Sequence, residues 1–366
     1  MPARCEQPTA GTVARPRKSV RMPRAVSRSC RSFAVAVAVL VAGLVVLPAP
    51  SAAAPERSAL PAPSAAPGDA ASGFARAAEL FHERKFREAI AALDAFIAAH
   101  PRDARAMVLR GDAKADLGDS AEALKDYNAA LVVNPQYQYA YVTRCETRLQ
   151  LGDTKGALSD CDSAVRLDGL DALAYEDRGD VQFQLEAYEL ALSDYNRAVT
   201  LGRSNAYLFA ARCDSERLVG KRELARTDCE KALSLDPKSR RGLWSRGRLA
   251  LVESRYNDGI ADLSTYIAQN PKSSDTAYYF RGLAYNRISS YRLALEDLRL
   301  YVQRQPTDPD GYKERAIASW GTGDKDGALS DLRTALQGYQ KSGDAAQAER
   351  VSAMAKAIAA GKPPVP

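Results

Sequence analysis

From about residue 71 onward, small and large apolar positions alternate with a long, fixed period. Counted from an arginine followed by a small residue, the small residue falls at Ala77, Gly111, Cys145, Gly179, Cys213, Gly247, Gly282 and Ala316. The spacing is 34 residues, with one step of 35 between Gly247 and Gly282. Twelve residues further on stands a second small residue: Ala89, Ala123, Ala157, Ala191, Ala225, Gly259, Ala294 and Ala328. Four residues before the first small one, seven units carry a bulky apolar side chain: Met107, Tyr141, Tyr175, Phe209, Leu243, Tyr278 and Tyr312. Small residues let two helices approach closely and bulky ones fill the space beside them. Pro101, Pro135, Pro237, Pro271 and Pro306 close five of the units. Beyond the last unit, Val351, Met354 and Ile358 share one helical face, and Asp344 stands where an N-cap belongs after Gly343. This predicts a terminal helix with one apolar face.

In its period, its small residues and its closing prolines, the pattern resembles the tetratricopeptide repeat family, whose unit is a helix–turn–helix of 34 residues. The likeness covers about residues 71–341. It implies an all-α fold: a right-handed α-solenoid of eight helical hairpins with a C-terminal capping helix. The units fall at about 70–103, 104–137, 138–171, 172–205, 206–239, 240–274, 275–308 and 309–341, the capping helix at 344–360 and a tail at 361–366. With the aligned small residue numbered position 8 of each unit, the family favours a small residue at 27. Phe96, Tyr266 and Tyr301 depart from this, which predicts looser or wider packing after the first, sixth and seventh units. The closing proline at position 32 is replaced by Gly169, Arg203 and Gln340. One hairpin buries too little surface to stand alone, so stacking on neighbours must stabilise each.

Two polar positions recur in phase. Position 7 is Arg in every unit: Arg76, Arg110, Arg144, Arg178, Arg212, Arg246, Arg281 and Arg315. Position 23 is Asp in all but the first: Asp126, Asp160, Asp194, Asp228, Asp262, Asp297 and Asp331, with Ala92 in the first. The two positions are equidistant from the hairpin turn. They read either as a structural Arg–carboxylate pair in each unit or as a ladder of charged ligand contacts; the regular recurrence favours the pair.

Six cysteines occur, two of them, Cys5 and Cys30, ahead of the repeats. The other four take only positions 8 and 24: Cys145 with Cys161, and Cys213 with Cys229. In a hairpin turning near position 16 these positions face each other. The expected arrangement is two disulfides, each stabilising by about 3 kcal/mol; buried free thiols are the alternative. With no C-x-x-C and no neighbouring His, a metal or redox centre is disfavoured.

By the same resemblance, positions 2, 5, 9, 12 and 13 of the first helix line a concave groove. Here they carry Asp112, Asp116, Glu146, Glu176, Asp180 and Asp214 in units two to five, then Arg241, Arg248, Arg287 and Lys313 in units six to eight. Aromatic residues interleave: Phe81, Tyr139, Phe183, Tyr207, Trp244, Tyr279 and Trp320. An inner face acidic at one end and basic at the other suits a protein or peptide segment of matching charge order. The family's clamp for chaperone tails is not implied, because Lys313 is followed by Ile317 where that clamp has Asn.

Charge and the N-terminus narrow the function. The net charge of +6 is misleading: residues 1–54 hold eight Lys/Arg and one acid, leaving the remainder at −1. A near-neutral repeat region argues against nucleic acid as partner. Residues 33–47 (FAVAVAVLVAGLVVL) form an apolar run after a basic stretch and before small residues at 51–54. This reads as a signal peptide over 1–54, with cleavage after Ala53 or Ala54, or as an uncleaved signal anchor, the one route to a membrane. Met22 offers a second start, and no Cys follows the run to take a bacterial lipid. Residues 55–70 are a Pro/Ala/Ser spacer. The chain thus reads as an exported bacterial protein of the periplasm or beyond. With two His, no nucleophile motif and no phosphate loop, no catalytic site or cofactor is expected. The favoured role is a scaffold or adaptor; the alternative is carbohydrate or cell-wall binding through Trp244, Tyr279 and Trp320.

Overall fold

The computed structural model describes residues 69–364, so the expected signal segment, the expected spacer up to residue 68 and the last two residues lie outside it. Among the described residues there are seventeen α-helices and no strand. In chain order they are α1 (Asp69–His82), α2 (Phe86–Ala99), α3 (Ala104–Asp116), α4 (Ser120–Val133), α5 (Gln138–Gln150), α6 (Thr154–Leu167), α7 (Ala172–Gln184), α8 (Tyr188–Thr200) and α9 (Ala206–Leu218). There follow α10 (Arg222–Leu235), α11 (Arg240–Val252), α12 (Tyr256–Gln269), α13 (Asp275–Arg287), α14 (Tyr291–Arg304), α15 (Pro309–Gly321), α16 (Lys325–Ser342) and α17 (Ala345–Ala359). Helices pair as hairpins, and each hairpin packs on the next, which makes the repeat region an α-solenoid. The first helices of successive hairpins also touch directly, as α9 does α11 and α13 does α15.

Each hairpin turns on one left-handed residue, always at position 15. It is Gly118, Gly152, Gly220 and Gly323 in four units, with φ between 81° and 91°. In the others Arg84, Glu186, Ser254 and Ser289 take φ of 59–60°, where a Cβ is crowded. Acidic caps start several helices: Asp103 accepts from the amides of Arg105 and Ala106, and Asp153 from that of Gly156. The extra residue of the 35-residue step is absorbed by a 3-10 turn at Pro271–Ser273.

The core of each hairpin is the contact between positions 8 and 24. Gly111 and Gly179 lie against the rings of Tyr127 and Tyr195, which are fully buried. Gly247 and Gly282 meet Leu263 and Leu298 instead. At position 27, the bulk of Tyr301 corrects the expectation of looser packing. Gly311 in the next hairpin lies directly against the ring, so close that a Cβ there would come within 2.8 Å. Phe96 is fitted against Gly73 within its own hairpin.

At the C-terminal end, Gln340 stands where proline would break the helix, and α16 runs on for 18 residues to Gly343, a left-handed cap. Asp344 then caps α17 through the amide of Gln347. Val351, Met354 and Ile358 bury against Ile317, Leu332, Ala335 and Tyr339, sealing the last hairpin.

Candidate functional site

All seven Arg–Asp pairs close within their own hairpins. In each, Nε and Nη2 of the arginine donate to the two carboxylate oxygens. The distances are 3.0 and 2.6 Å for Arg110–Asp126, 2.8 and 2.6 Å for Arg144–Asp160, and 2.7 and 2.9 Å for Arg178–Asp194. Arg246–Asp262 and Arg281–Asp297 hold 2.7 Å throughout, and Arg315–Asp331 holds 2.8 and 2.6 Å. Arg212 grips Asp228 in the same way. Arg76, which faces Ala92, turns to Glu79 on the surface at 3.1 Å.

The remaining nitrogen reaches the preceding hairpin. Nη1 of Arg110, Arg144, Arg178, Arg212 and Arg281 donates to Asp94, Asn128, Asp162, Asn196 and Ser264, at 2.6–3.1 Å. All five acceptors occupy position 25. These five guanidinium groups therefore tie three helices each, and hydrogen bonds to aspartate raise the pKa of Arg110, Arg178, Arg212, Arg246, Arg281 and Arg315. The ladder is engaged internally and offers little to a ligand.

The cysteines join the same pair of helices. Cys145 Sγ lies 2.03 Å from Cys161 Sγ, and Cys213 Sγ 2.07 Å from Cys229 Sγ, with all four residues buried. They fill the space that Gly and Tyr share in the second and fourth units.

On the first-helix face, the expected row of open acidic groups must be corrected. Asp112 accepts from the hydroxyls of Tyr127 (2.8 Å) and Tyr139 (3.1 Å). Asp180 repeats this with Tyr195 and Tyr207, both at 2.7 Å. One tyrosine comes from the same hairpin and the other from the next, so each carboxylate fastens a joint. Glu176 is buried in an ion pair with Arg203, helped by Asn205 at 3.5 Å. Asp214 accepts from Ser245 at 2.7 Å and Arg217 at 3.3 Å. Only Asp116 stays exposed; Glu146 accepts from Gln150 at 3.3 Å.

Several basic and aromatic candidates are also claimed internally. Lys313 pairs with Asp310 and meets the Tyr339 hydroxyl at 3.2 Å. Arg287 lies 3.6 Å from Glu314. Tyr279 is buried between Phe280 and Tyr301, and Trp320 packs against the capping cluster. Phe81 stands edge-on to Phe86. Of the three aromatic residues considered for a sugar, Tyr279 is buried, while Trp244 and Trp320 stay partly exposed.

What stands out is the middle of the row, α7 to α13. Arg241 lies over Tyr207, 4.3 Å from the ring centroid, with Phe183 at 5.8 Å and Asp180 at 3.6 Å. Arg248 stacks on Trp244 and on Phe280, at 5.2 and 4.9 Å. Burial pulls the Arg248 pKa down to about 9, and the neighbouring Arg217 adds to this. Arg217 and Phe280 were missing from the sequence expectations. Arg217 had a signal, since it occupies lining position 12; Phe280, at position 6, had none.

A family model described as tetratricopeptide repeat matches residues 71–140, 146–206 and 245–309. No curated protein matches the sequence. Among solved structures, the fold is similar to the APC/C hetero-tetramer Cut9–Hcn1, at 15% identity and a TM-score of 0.58 over 73% of this chain. The chain spans about half of that relative, 52%. It is also similar to Pseudomonas aeruginosa pilF, at 15% identity and a TM-score of 0.50 over 56% of this chain and 93% of that one.

Proposed function

Since the chain belongs to the tetratricopeptide repeat family, we propose that it is a non-catalytic scaffold that holds a protein segment along its first-helix face, outside the cytoplasm. The carrying observation is the stretch from Phe183 to Phe280. There, Arg241 lies over Tyr207, a residue 37% exposed, and Arg248 stacks on Trp244 and Phe280. Aromatic and arginine side chains are enriched among the anchors of protein interfaces, because they bury large areas and arginine adds a planar fork of donors. The row of first helices suits an extended or helical segment laid across several units.

Location is supported by the two cysteine pairs, which suit an oxidising compartment, and by the basic stretch and apolar run ahead of residue 48. Among the described residues no helix is long and apolar enough to cross a membrane.

The test is photo-crosslinking in the native host from a probe residue replacing Tyr207. A discrete protein adduct, absent when the probe replaces the outward-facing Leu190 of α8, is the expected result. Adducts of equal yield and identity from both positions would overturn the reading.

A further inference from the structure

In the row of first helices, position 6 meets the first helix of the hairpin before it. Ser245, at position 6 of α11, donates to Asp214, at position 9 of α9, across 2.7 Å. Glu314, at position 6 of α15, accepts from Asn286 of α13 at 3.2 Å and lies 3.6 Å from Arg287. In α7 the residue at position 6 is Asp177, and position 9 of the preceding first helix, α5, is Glu146. Here a carboxyl group meets a carboxyl group, where the other two joints match a donor with an acceptor. Oδ2 of Asp177 is buried and has no hydrogen-bond partner. The charged groups on the surrounding elements do not answer it. Glu176 and Asp180 on α7 are themselves acids. Arg203, after α8, is engaged by Glu176, and Arg241 of α11 lies 3.6 Å from Asp180. Tyr195 of α8 and Tyr207 of α9 donate to Asp180. Arg144 and Arg148 of α5 both donate to Asp160 of α6, and Arg178 of α7 ties Asp162 of α6 to Asp194 of α8. Two like charges in a buried joint repel, and burial adds the cost of desolvating them. A proton is the missing component: with one bound, one carboxyl becomes a donor and the other stays an acceptor.

We propose that Asp177 and Glu146 share one proton, and that its loss loosens the joint between α5 and α7, a pH-sensitive hinge between the third and fourth hairpins. The inference concerns the solenoid itself and stands whatever the first-helix face holds. Burial and then the Glu146 charge push the Asp177 carboxyl well above the ordinary carboxylate range; Glu176 and Asp180 add to this and Arg203 opposes it. The closed joint therefore keeps a proton that an opened joint releases in the ordinary Asp range. Closure is favoured at low pH and weakens as pH rises. Each pH unit over which only the closed joint holds the proton divides its closing constant by about ten. Neither disulfide restrains the movement, since Cys145–Cys161 lies inside the third hairpin and Cys213–Cys229 inside the fifth. The contact of Arg178 with Asp162 does cross from α7 to α6, so it serves as the fixed side of the hinge.

The test is amide hydrogen exchange on the full chain, with protection factors compared at about pH 5 and about pH 9. Glu216→Gln is the background, because Glu216 on α9 is a second carboxyl with a raised pKa. Protection in α5 and α7 should fall about tenfold or more between the two conditions, with no matching fall in α15 and α16. Asp177→Asn supplies an amide that donates to Glu146 at either pH, so in that variant α5 and α7 should stay equally protected in both conditions. An equal fall in all helices, no fall in α5 and α7, or the same fall in Asp177→Asn would overturn the proposal. The comparison among helices of one protein holds even if Asp177→Asn fails to fold.

Discussion

Gly111 and Tyr127 are two halves of one packing unit: a Cβ added to the glycine would sit 2.5 Å from Cε1 of the tyrosine ring. Gly179 and Tyr195 repeat this in the fourth hairpin, and the others fill the same space with Gly and Leu, Ala and Leu, or a pair of cysteines. Gly111→Ala should therefore cost about 1–3 kcal/mol by overpacking. Adding Tyr127→Leu should recover part of that, since Ala316 and Leu332 fill this site in the last hairpin. Recovery will be incomplete, because Asp112 loses a hydroxyl partner. Urea denaturation of the single and double variants checks this; a Gly111→Ala chain as stable as the wild type would refute it.

The cysteine pairs make a second prediction. Each closes a loop over a sequence separation of 16, worth about 3 kcal/mol in the loop-entropy picture. Cys145→Ala with Cys161→Leu, copying Ala77 and Leu93, should lower the denaturation midpoint by less than reduction of the native pair. Thiol labelling of the unfolded, non-reduced repeat region should find no reactive cysteine among the four. Four labelled thiols would show that the bonds do not form.

The arginine ladder should respond according to how many helices each rung ties. Arg178→Ala leaves the buried Asp194 without its partner and frees Asp162, and should cost about 2–3 kcal/mol. Arg76→Ala removes a pair exposed to solvent and should change stability by about 0.5 kcal/mol or less. Equal effects at the two positions in thermal denaturation would contradict the assignment.

A fourth prediction concerns pH. Position 11 carries Lys114 and Arg148 in the second and third hairpins, where they reinforce Asp126 and Asp160. In the fifth it carries Glu216, buried against Asp228, and burial followed by the Asp228 charge pushes its carboxyl up to about 8. The folded chain keeps this proton across a range, from about 4.5 to 8, in which the unfolded chain has lost it. Stability therefore falls as pH rises through that window. Glu216→Gln should flatten the dependence and stabilise the protein at pH 8.5 by about 1–3 kcal/mol. Parallel pH profiles for the two proteins would refute the pairing.

The hairpins were legible because packing at positions 8 and 20 tolerates so few residue types that the period shows in one sequence. The position 7 and 23 pair was legible for the same reason. The third contact of the ladder was hidden, because position 25 needs only an acceptor and Asp94, Asn128 and Ser264 serve equally. The misreading of Asp112 and Asp180 has a physical cause too. Their partners Tyr139 and Tyr207 come from the following hairpin, so the contact exists only once the units are stacked. A clue was available: Asp at position 9 meets Tyr at position 24 in the second and fourth units. In the third and fifth, cysteine takes position 24 and offers no hydroxyl. Arg248 stood out for charge alone; its stacking on Trp244 and Phe280 is a property of the assembled face.

The run-on of α16 and the lid formed by α17 have a consequence for growth. Identical blocks could in principle be added without end, and the terminal helix is what brings the series to a halt. A chain cut after Ser342 would present Ile317, Leu332 and Tyr339 bare. Such a surface is shaped to receive another hairpin, and the nearest supply is the leading end of a sibling molecule. Light scattering of the shortened chain should reveal concentration-dependent threads where the intact protein gives none.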